Sequence, residues 1–298
     1  MRILGNTDFL FVEKRKVFLI VSFVLIAGSI LAFFARGGFN LGIDFSGGML
    51  VQVKFDKLPD IQELRDVLAQ GQVPEFQLQT FPNREAVIIQ IKGNAENLDK
   101  TATTIYNIFS SLNLKFDIER TEFVGPRIGE HLTRRALLAI LLSMAGIIIY
   151  VAFRFKSAVW GVSAVIALVH DVIIVLGLFC IFNKEITLNV VAAVLTLAGY
   201  SVNDTIVIFD RIRENLSLMR KDQLSAVIDR SINQTLSRTA ITSLTTEFVL
   251  LSLFFLGGEV IHDFSFALLF GVIIGTYSSI FIASPIVYEF ITRRTGKK

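Results

Sequence analysis

Acidic side chains inside long apolar runs are the residues of this chain whose chemistry calls for explanation. Asp171, Asp204 and Glu247 each sit within such a run, and Asp210 sits at the end of one. One base, Arg238, lies at the entry of another. An ionised side chain in hydrocarbon is costly, so acids there are by default candidates for binding, pairing or transport. A carboxylate with a guanidinium neighbour can take up and release a proton, and movement of the guanidinium would bias that exchange. A membrane potential offers about 2.3 kcal/mol per charge per 100 mV, enough to bias two arrangements of a helix bundle. The competing reading is a static Asp204–Arg238 ion pair that fixes helix register.

The sharpest pattern is the stretch LAGYSVNDTIVIFDRIREN, Leu197 to Asn215. At steps of three and four, Asn189, Ala192, Thr196, Gly199 and Asn203 form one small and polar helical stripe. Asp204 lies about 100° round from Asn203, in line with Tyr200, Leu197 and Ala193. Small residues and amides on one face suit close packing against other membrane helices. With the membrane edge near Phe209, Asp204 sits roughly 8 Å inside by helical rise. The next apolar run enters with Arg238, Thr239, Thr242, Thr245 and Thr246, which brings Arg238 near the depth of Asp204. Asp171, with His170 beside it, lies mid-run, and a proton path and polar packing are both open for it. Glu247 is equally open. Ala267, Gly271, Gly275, Ser279 and Ala283 form a small-xxx-small ladder, a packing face rather than chemistry.

These residues need spanning helices to position them, and the composition supplies them. Of 298 residues, 53% are hydrophobic and only 18% charged, where about 25% charged is usual in soluble domains. Six runs are long enough to cross a bilayer, which takes roughly 20 residues: Val17–Phe34, Ala136–Phe153, Val159–Phe182, Ile186–Phe209, Ala240–Leu256 and Phe264–Phe290. The first reads as an uncleaved anchor, with a signal peptide as its alternative. One cysteine, Cys180, excludes an intramolecular disulfide, and the three histidines are scattered. No metal centre or other cofactor is expected, and no nucleotide-binding glycine motif stands out. A net charge of +3 gives no reason to expect nucleic acid.

Charge placement predicts orientation. Arg2, Lys14, Arg15, Lys16, Arg154, Lys156, Arg211, Arg213, Arg220, Lys221, Arg230, Arg238, Arg293, Arg294, Lys297 and Lys298 fall on one side, against Lys184 in the short loops of the other. By the positive-inside rule both termini, 1–16 and 291–298, are cytoplasmic. The first transmembrane helix is then 17–34, residues 35–135 form an extracytoplasmic domain, and 136–290 hold five further helices. That domain reads as strand Gly48–Phe55, helix Asp60–Gln70, strands Phe76–Phe81 and Ala86–Ile91, helix Asn97–Leu112 and strand Leu114–Val124. The order βαββαβ suits an α+β ferredoxin-like sheet. With no nucleophile–base arrangement in it, a binding or lever role is expected, and no enzyme. In the loop 211–237, Leu224, Val227, Ile228, Ile232 and Leu236 predict an amphipathic cytoplasmic helix, covering the bundle end or lying at the interface.

The chain resembles the SecF proteins of the SecD/SecF family, relatives of resistance-nodulation-division exporters. The resemblance covers nearly the whole length. It rests on Gly42-Ile43-Asp44-Phe45-Ser46-Gly47-Gly48, on Val124-Gly125-Pro126, and on Tyr200–Asn215 with its Asn203, Asp204, Thr205, Asp210 and Arg211. His170-Asp171 and Arg238-Thr239 also look like family positions. The resemblance implies a multi-pass protein of the bacterial cytoplasmic (inner) membrane, paired with a SecD-like subunit. It also implies work beside the SecYEG channel on a translocating unfolded polypeptide, among membrane lipids and driven by protons as the coupling ion. Asp204 matches the family's intramembrane acid and Arg238 its basic companion, while Glu247 matches no motif position. Gly47-Gly48 would form a compact turn, either a swing point or a plain strand start. Two other functions stay open: a proton-driven exporter half for lipids or hydrophobic small molecules, and a scaffold in which Asp204 and Arg238 are a structural pair.

Overall fold

The computed structural model describes residues 7–71, 73, 76–81, 85–91, 98–111, 115–219 and 221–296, with the backbone alone at 81, 98–100, 111, 259 and 295. The expected ends at Asn97, Leu112 and Leu114 lie outside the described residues, as do the charges of Arg2, Arg220, Lys297 and Lys298. The chain divides into two compact units: Leu41–Leu137, and Met1–Asn40 together with Leu138–Lys298.

In the second of these, helix α1 spans Arg15–Ala35. Helix α5 runs Pro126–Phe155, its residues up to Leu137 counted in the other unit, and is followed by α6 (Ala158–Ile181), α7 (Leu188–Leu218) and α8 (Leu224–Leu256). Then α9 (Glu259–Ser278) passes through a π-helical turn, Ser279–Ala283, into α10 (Ser284–Thr295). Counting α9–α10 as one, six helices among the described residues are long and apolar enough to cross a membrane. The innermost are α6, α7 and α9–α10, half or more buried along their apolar windows, whereas α1, α5 and α8 present mostly exposed apolar surface. A helix that is apolar all round needs apolar surroundings on every side, and for these three the bilayer is that surrounding.

The α7 and α8 helices are longer than the apolar runs within them. Residues 211–237 form no separate amphipathic element: α7 continues to Leu218, and after a short turn the pattern becomes the first turns of α8. Leu224, Ile228 and Ile232 are buried in one cluster with Trp160, Phe209 and Ile212, and Val227 is buried as well. Polar ties hold the two extensions together. Asn215 Nδ2 donates to Ser231 Oγ and Gln234 Oε1, each at 2.9 Å, and Arg211 Nε donates to Gln234 Oε1 at 2.6 Å. The segment before α1 is tied down as well. Val12 N–H donates to Asp229 Oδ1 at 2.8 Å, and Phe9 N–H to Asn233 Oδ1 at 3.1 Å.

The unit Leu41–Leu137 holds a four-stranded antiparallel sheet in the order β2-β3-β1-β4. Its strands are β1 (Gly48–Phe55), β2 (Phe76–Phe81), β3 (Ala86–Ile91) and β4 (Phe116–Val124). Period-two alternation puts Met49, Val51, Val53 and Phe55 on one face with Val87, Ile89 and Ile91. They pack against Leu64 and Leu68 of α3 (Ile61–Gln70) and Ile105 and Phe109 of α4 (Leu98–Ser111). The opposite face is polar: Gln52 pairs across to Ile88 and Arg120, and its Nε2 donates to Glu119 Oε2 at 2.9 Å.

The glycine motif enters this unit through the short helix α2, Ile43–Ser46, with Gly42 as N-cap and Asp44 in its first turn. Gly47 and Gly48 follow at φ 69° and 140°, a region that L side chains avoid. A Cβ on Gly47 would meet Pro126 Cα at 3.1 Å, and one on Gly129 would meet the Phe45 carbonyl oxygen at 2.9 Å. The turn is therefore clamped against the start of α5, and glycine is required for the close approach as well as for the φ values.

Candidate functional site: buried acids of the helix bundle

Close packing of α9 on α7 builds the site. The small ladder of α9 faces residues at the same four-residue spacing on α7. A Cβ on Gly271 would meet Leu197 Cδ2 at 2.7 Å, and one on Gly275 would meet Ser201 Cβ at 3.0 Å. Ser279 Oγ lies 2.8 Å from Thr205 Oγ1. Residues without bulk let the two backbones approach, and hydroxyls then reach across.

On the face of α7 toward α8, Asp204 is 4% exposed and its Oδ2 has no hydrogen-bond partner among the described residues. Ser243 of α8 faces it and is itself 2.7 Å from Thr276 Oγ1 of α9. The Arg238 guanidinium acts on Asp204 electrostatically, yet the two form no ion pair within 4.0 Å among the described residues. Arg238 is exposed within this chain, as are Asn189, Ala192, Thr196, Gly199 and Asn203. The small and polar stripe of α7 is thus uncovered by this chain's own helices, and a Cβ on Gly199 would meet nothing within 4 Å. Tyr200, next to it, donates to Thr246 Oγ1 of α8 at 3.3 Å.

Asp171 of α6 is fully buried and lies elsewhere in the bundle. His170 Nδ1 is 2.9 Å from its Oδ1, and Ser201 and Ser278 both donate to its Oδ2 at 2.8 Å. Asp210 is half-exposed and accepts from Arg154 Nη2 at 2.9 Å. Arg211 binds Glu214 as well as Gln234. Glu247 is partly buried on α8, with Oε1 unpartnered among the described residues.

The structure therefore brings Asp204, Ser243 and Arg238 to one side of α7 and Asp171 to another. Reading the sequence for charge alone passes over Ser201, Ser243, Thr276, Ser278 and Ser279. Their signal is a run of hydroxyls at helical spacing inside apolar segments, which the ladder of small residues partly contains. No group of three or more His, Cys, Asp or Glu among the described residues is arranged to hold a metal ion.

Comparison with known proteins shows what the chain is similar to. The family pattern described as "Protein export membrane protein SecD/SecF, C-terminal" matches residues 104–293, and the "SecD/SecF GG Motif" matches residues 32–57. The protein translocase subunit SecF of Calditerrivibrio nitroreducens is 46% identical over 289 residues, 95% of this chain and 94% of its own. That of Endomicrobium trichonymphae is 42% identical over 295 residues, 97% of this chain and 94% of its own. Among solved structures, SecDF of Thermus thermophilus, described as a translocon-associated membrane protein, superposes with a TM-score of 0.88 at 37% identity. That match covers 97% of this chain and 39% of the SecDF chain, so the present chain spans well under half of that protein.

Proposed function

This chain belongs to the SecD/SecF family of protein export membrane proteins, and from that premise we propose that it is a proton-driven accessory subunit of protein export. It works with a SecD-like subunit beside the SecYEG channel, drawing a translocating unfolded polypeptide outward late in its passage. It lies in the bacterial inner membrane with both termini cytoplasmic, needs no cofactor beyond the coupling proton, and catalyses no covalent reaction. The unit Leu41–Leu137 is a ferredoxin-like domain on the far side of the membrane. Its strand order and its two outer strands, β2 and β4, support a peptide-contacting role, since an open sheet edge can take up an extended chain.

One observation carries the proposal: Asp204 is buried in a membrane helix with an oxygen unpartnered among the described residues, beside an arginine that is near but not bound. A fixed structural pair would close that distance, because a desolvated charge without its partner is costly. An acid left this way can exchange a proton when Arg238 moves. The uncovered stripe of α7 supports a helix of the SecD-like subunit as the missing wall.

The test is Asp204→Asn in the chain assembled with its SecD-like partner. Stimulation of secreted-protein release from inverted vesicles by a proton gradient is measured, with partner co-purification on the same preparation. Lost stimulation with an intact complex is the expected result. Undiminished stimulation removes Asp204 from the coupling role, and a complex that falls apart favours the scaffold.

A further inference from the structure

The His170–Asp171 pair is a second group of titratable side chains that the Asp204 site does not use. Both oxygens of Asp171 are hydrogen-bonded, Oδ1 to His170 and Oδ2 to Ser201 and Ser278, and it forms no ion pair with a Lys or Arg among the described residues. His170 is 4% exposed, and its Nε2 has no partner among the described residues. Its ring stacks on Tyr277 with centroids 6.1 Å apart, and the Tyr277 hydroxyl bonds Ser22 Oγ and the Phe18 carbonyl of α1.

Every element packed around the pair is thereby accounted for. From α7 come Ser201 and Thr205, while Asp204 looks to Ser243 and Arg238 on α8. From α9 come Tyr277 and Ser278, and α1 offers Ser22, its own cations, Arg15 and Lys16, lying in its first turn. On α10, Glu289 is engaged by Arg15, which also sits over the Tyr288 ring, and Arg293 and Arg294 stand exposed in the last turn.

A lone carboxylate in so dry a place would be costly. A carboxylate and an imidazole in hydrogen-bond contact escape that cost by holding one extra proton between them, which leaves the pair uncharged. Releasing it leaves one negative charge, which the Ser201 and Ser278 hydroxyls stabilise. In the loading direction one N–H bond forms at Nε2 as the proton on Nδ1 shifts toward Oδ1, so the pair gains one proton and one positive charge.

The consequence reaches α9. Its successive residues each hold a different helix: Thr276 binds Ser243 of α8, Tyr277 binds α1, Ser278 binds Asp171 of α6, and Ser279 binds Thr205 of α7. The π turn begins at Ser279, where the regular ladder of the helix is already interrupted and rearranges most readily. We propose that His170–Asp171 is a second proton-carrying site of this bundle, entered at His170 Nε2, and that its charge state positions the π turn between α9 and α10. This rests on the proton-driven reading of the Asp204 site.

The test uses the full chain with its SecD-like partner. Asp171→Asn keeps an oxygen for Ser201 and Ser278 but carries no proton, and His170→Gln removes the entry nitrogen. Each is expected to cut gradient stimulation by about tenfold with the complex intact, within the usual range of coupling effects. Asp171→Asn should also remove a deuterium-sensitive protonated-carboxyl infrared band that survives in Asp204→Asn. Wild-type stimulation in Asp171→Asn, or an unaltered carboxyl band, overturns the proposal. If Asp204→Asn alone abolishes stimulation, the proton-driven reading stands and this site falls. If Asp171→Asn does not assemble, Ser278→Ala decides: a moved pH midpoint of the carboxyl band supports the proposal and an unmoved one overturns it.

Discussion

Two carboxylates one helix apart are held in opposite ways. Asp171 has its acceptor capacity taken up by side chains of α6, α7 and α9, all from this chain. Asp204 has an oxygen without a partner among the described residues and a cation that stops short of it. Both are buried, so burial does not separate them. What separates them is whether the chain completes its own site. A completed site ties its own helices together, so a change in its charge acts within the chain, whereas an incomplete one leaves room for a partner.

The comparison breaks most readily at Asp171. Asp171→Ala leaves two serine hydroxyls and an imidazole facing an empty place, and is expected to lower stability by about 2–4 kcal/mol. Thermal unfolding in detergent checks this. Asp204→Ala in the same assay is expected to cost about 1 kcal/mol, since only the Ser243 hydrogen bond is lost and Oδ2 has no partner among the described residues. Equal losses would show that the two acids are held alike.

Gly275→Val comes next. Its side chain would press on Ser201 Cβ, 3.0 Å from the added Cβ, and approach Asp171 Oδ2 at 3.6 Å. Overpacking there should cost about 1–3 kcal/mol. Ser201→Ala removes one donor to Asp171 Oδ2 and is expected to cost about 0.6–1.7 kcal/mol, the span seen for single hydrogen bonds between membrane helices. Gly199→Leu sharpens the other side of the contrast. With nothing within 4 Å of the added Cβ, the chain alone should unfold as before. Recovery of the SecD-like subunit on co-purification should fall, and undiminished recovery would remove α7's stripe from the contact.

Much of this architecture is legible in the sequence for physical reasons. A bilayer demands long apolar helices, so the six runs show in composition alone, and the β1–β4 strands of the smaller unit show in period-two alternation. Helix ends are less legible, because α7 and α8 continue past the bilayer as amphipathic helices whose buried face is supplied by neighbours rather than by lipid. Asp210 stands at the end of an apolar run in the sequence, and only the fold shows that Arg154, distant in sequence, pairs with it.

Residue type and spacing by themselves determined that Asp171, Asp204, Glu247 and Arg238 would be costly where they stand and therefore meaningful, because desolvation depends on the local run of side chains. Only the tertiary structure decided which of them this chain satisfies. Hydrogen bonding depends on neighbours brought from other helices, and it was Ser201 and Ser278, contributed by α7 and α9, that closed the site of one acid and left the other open.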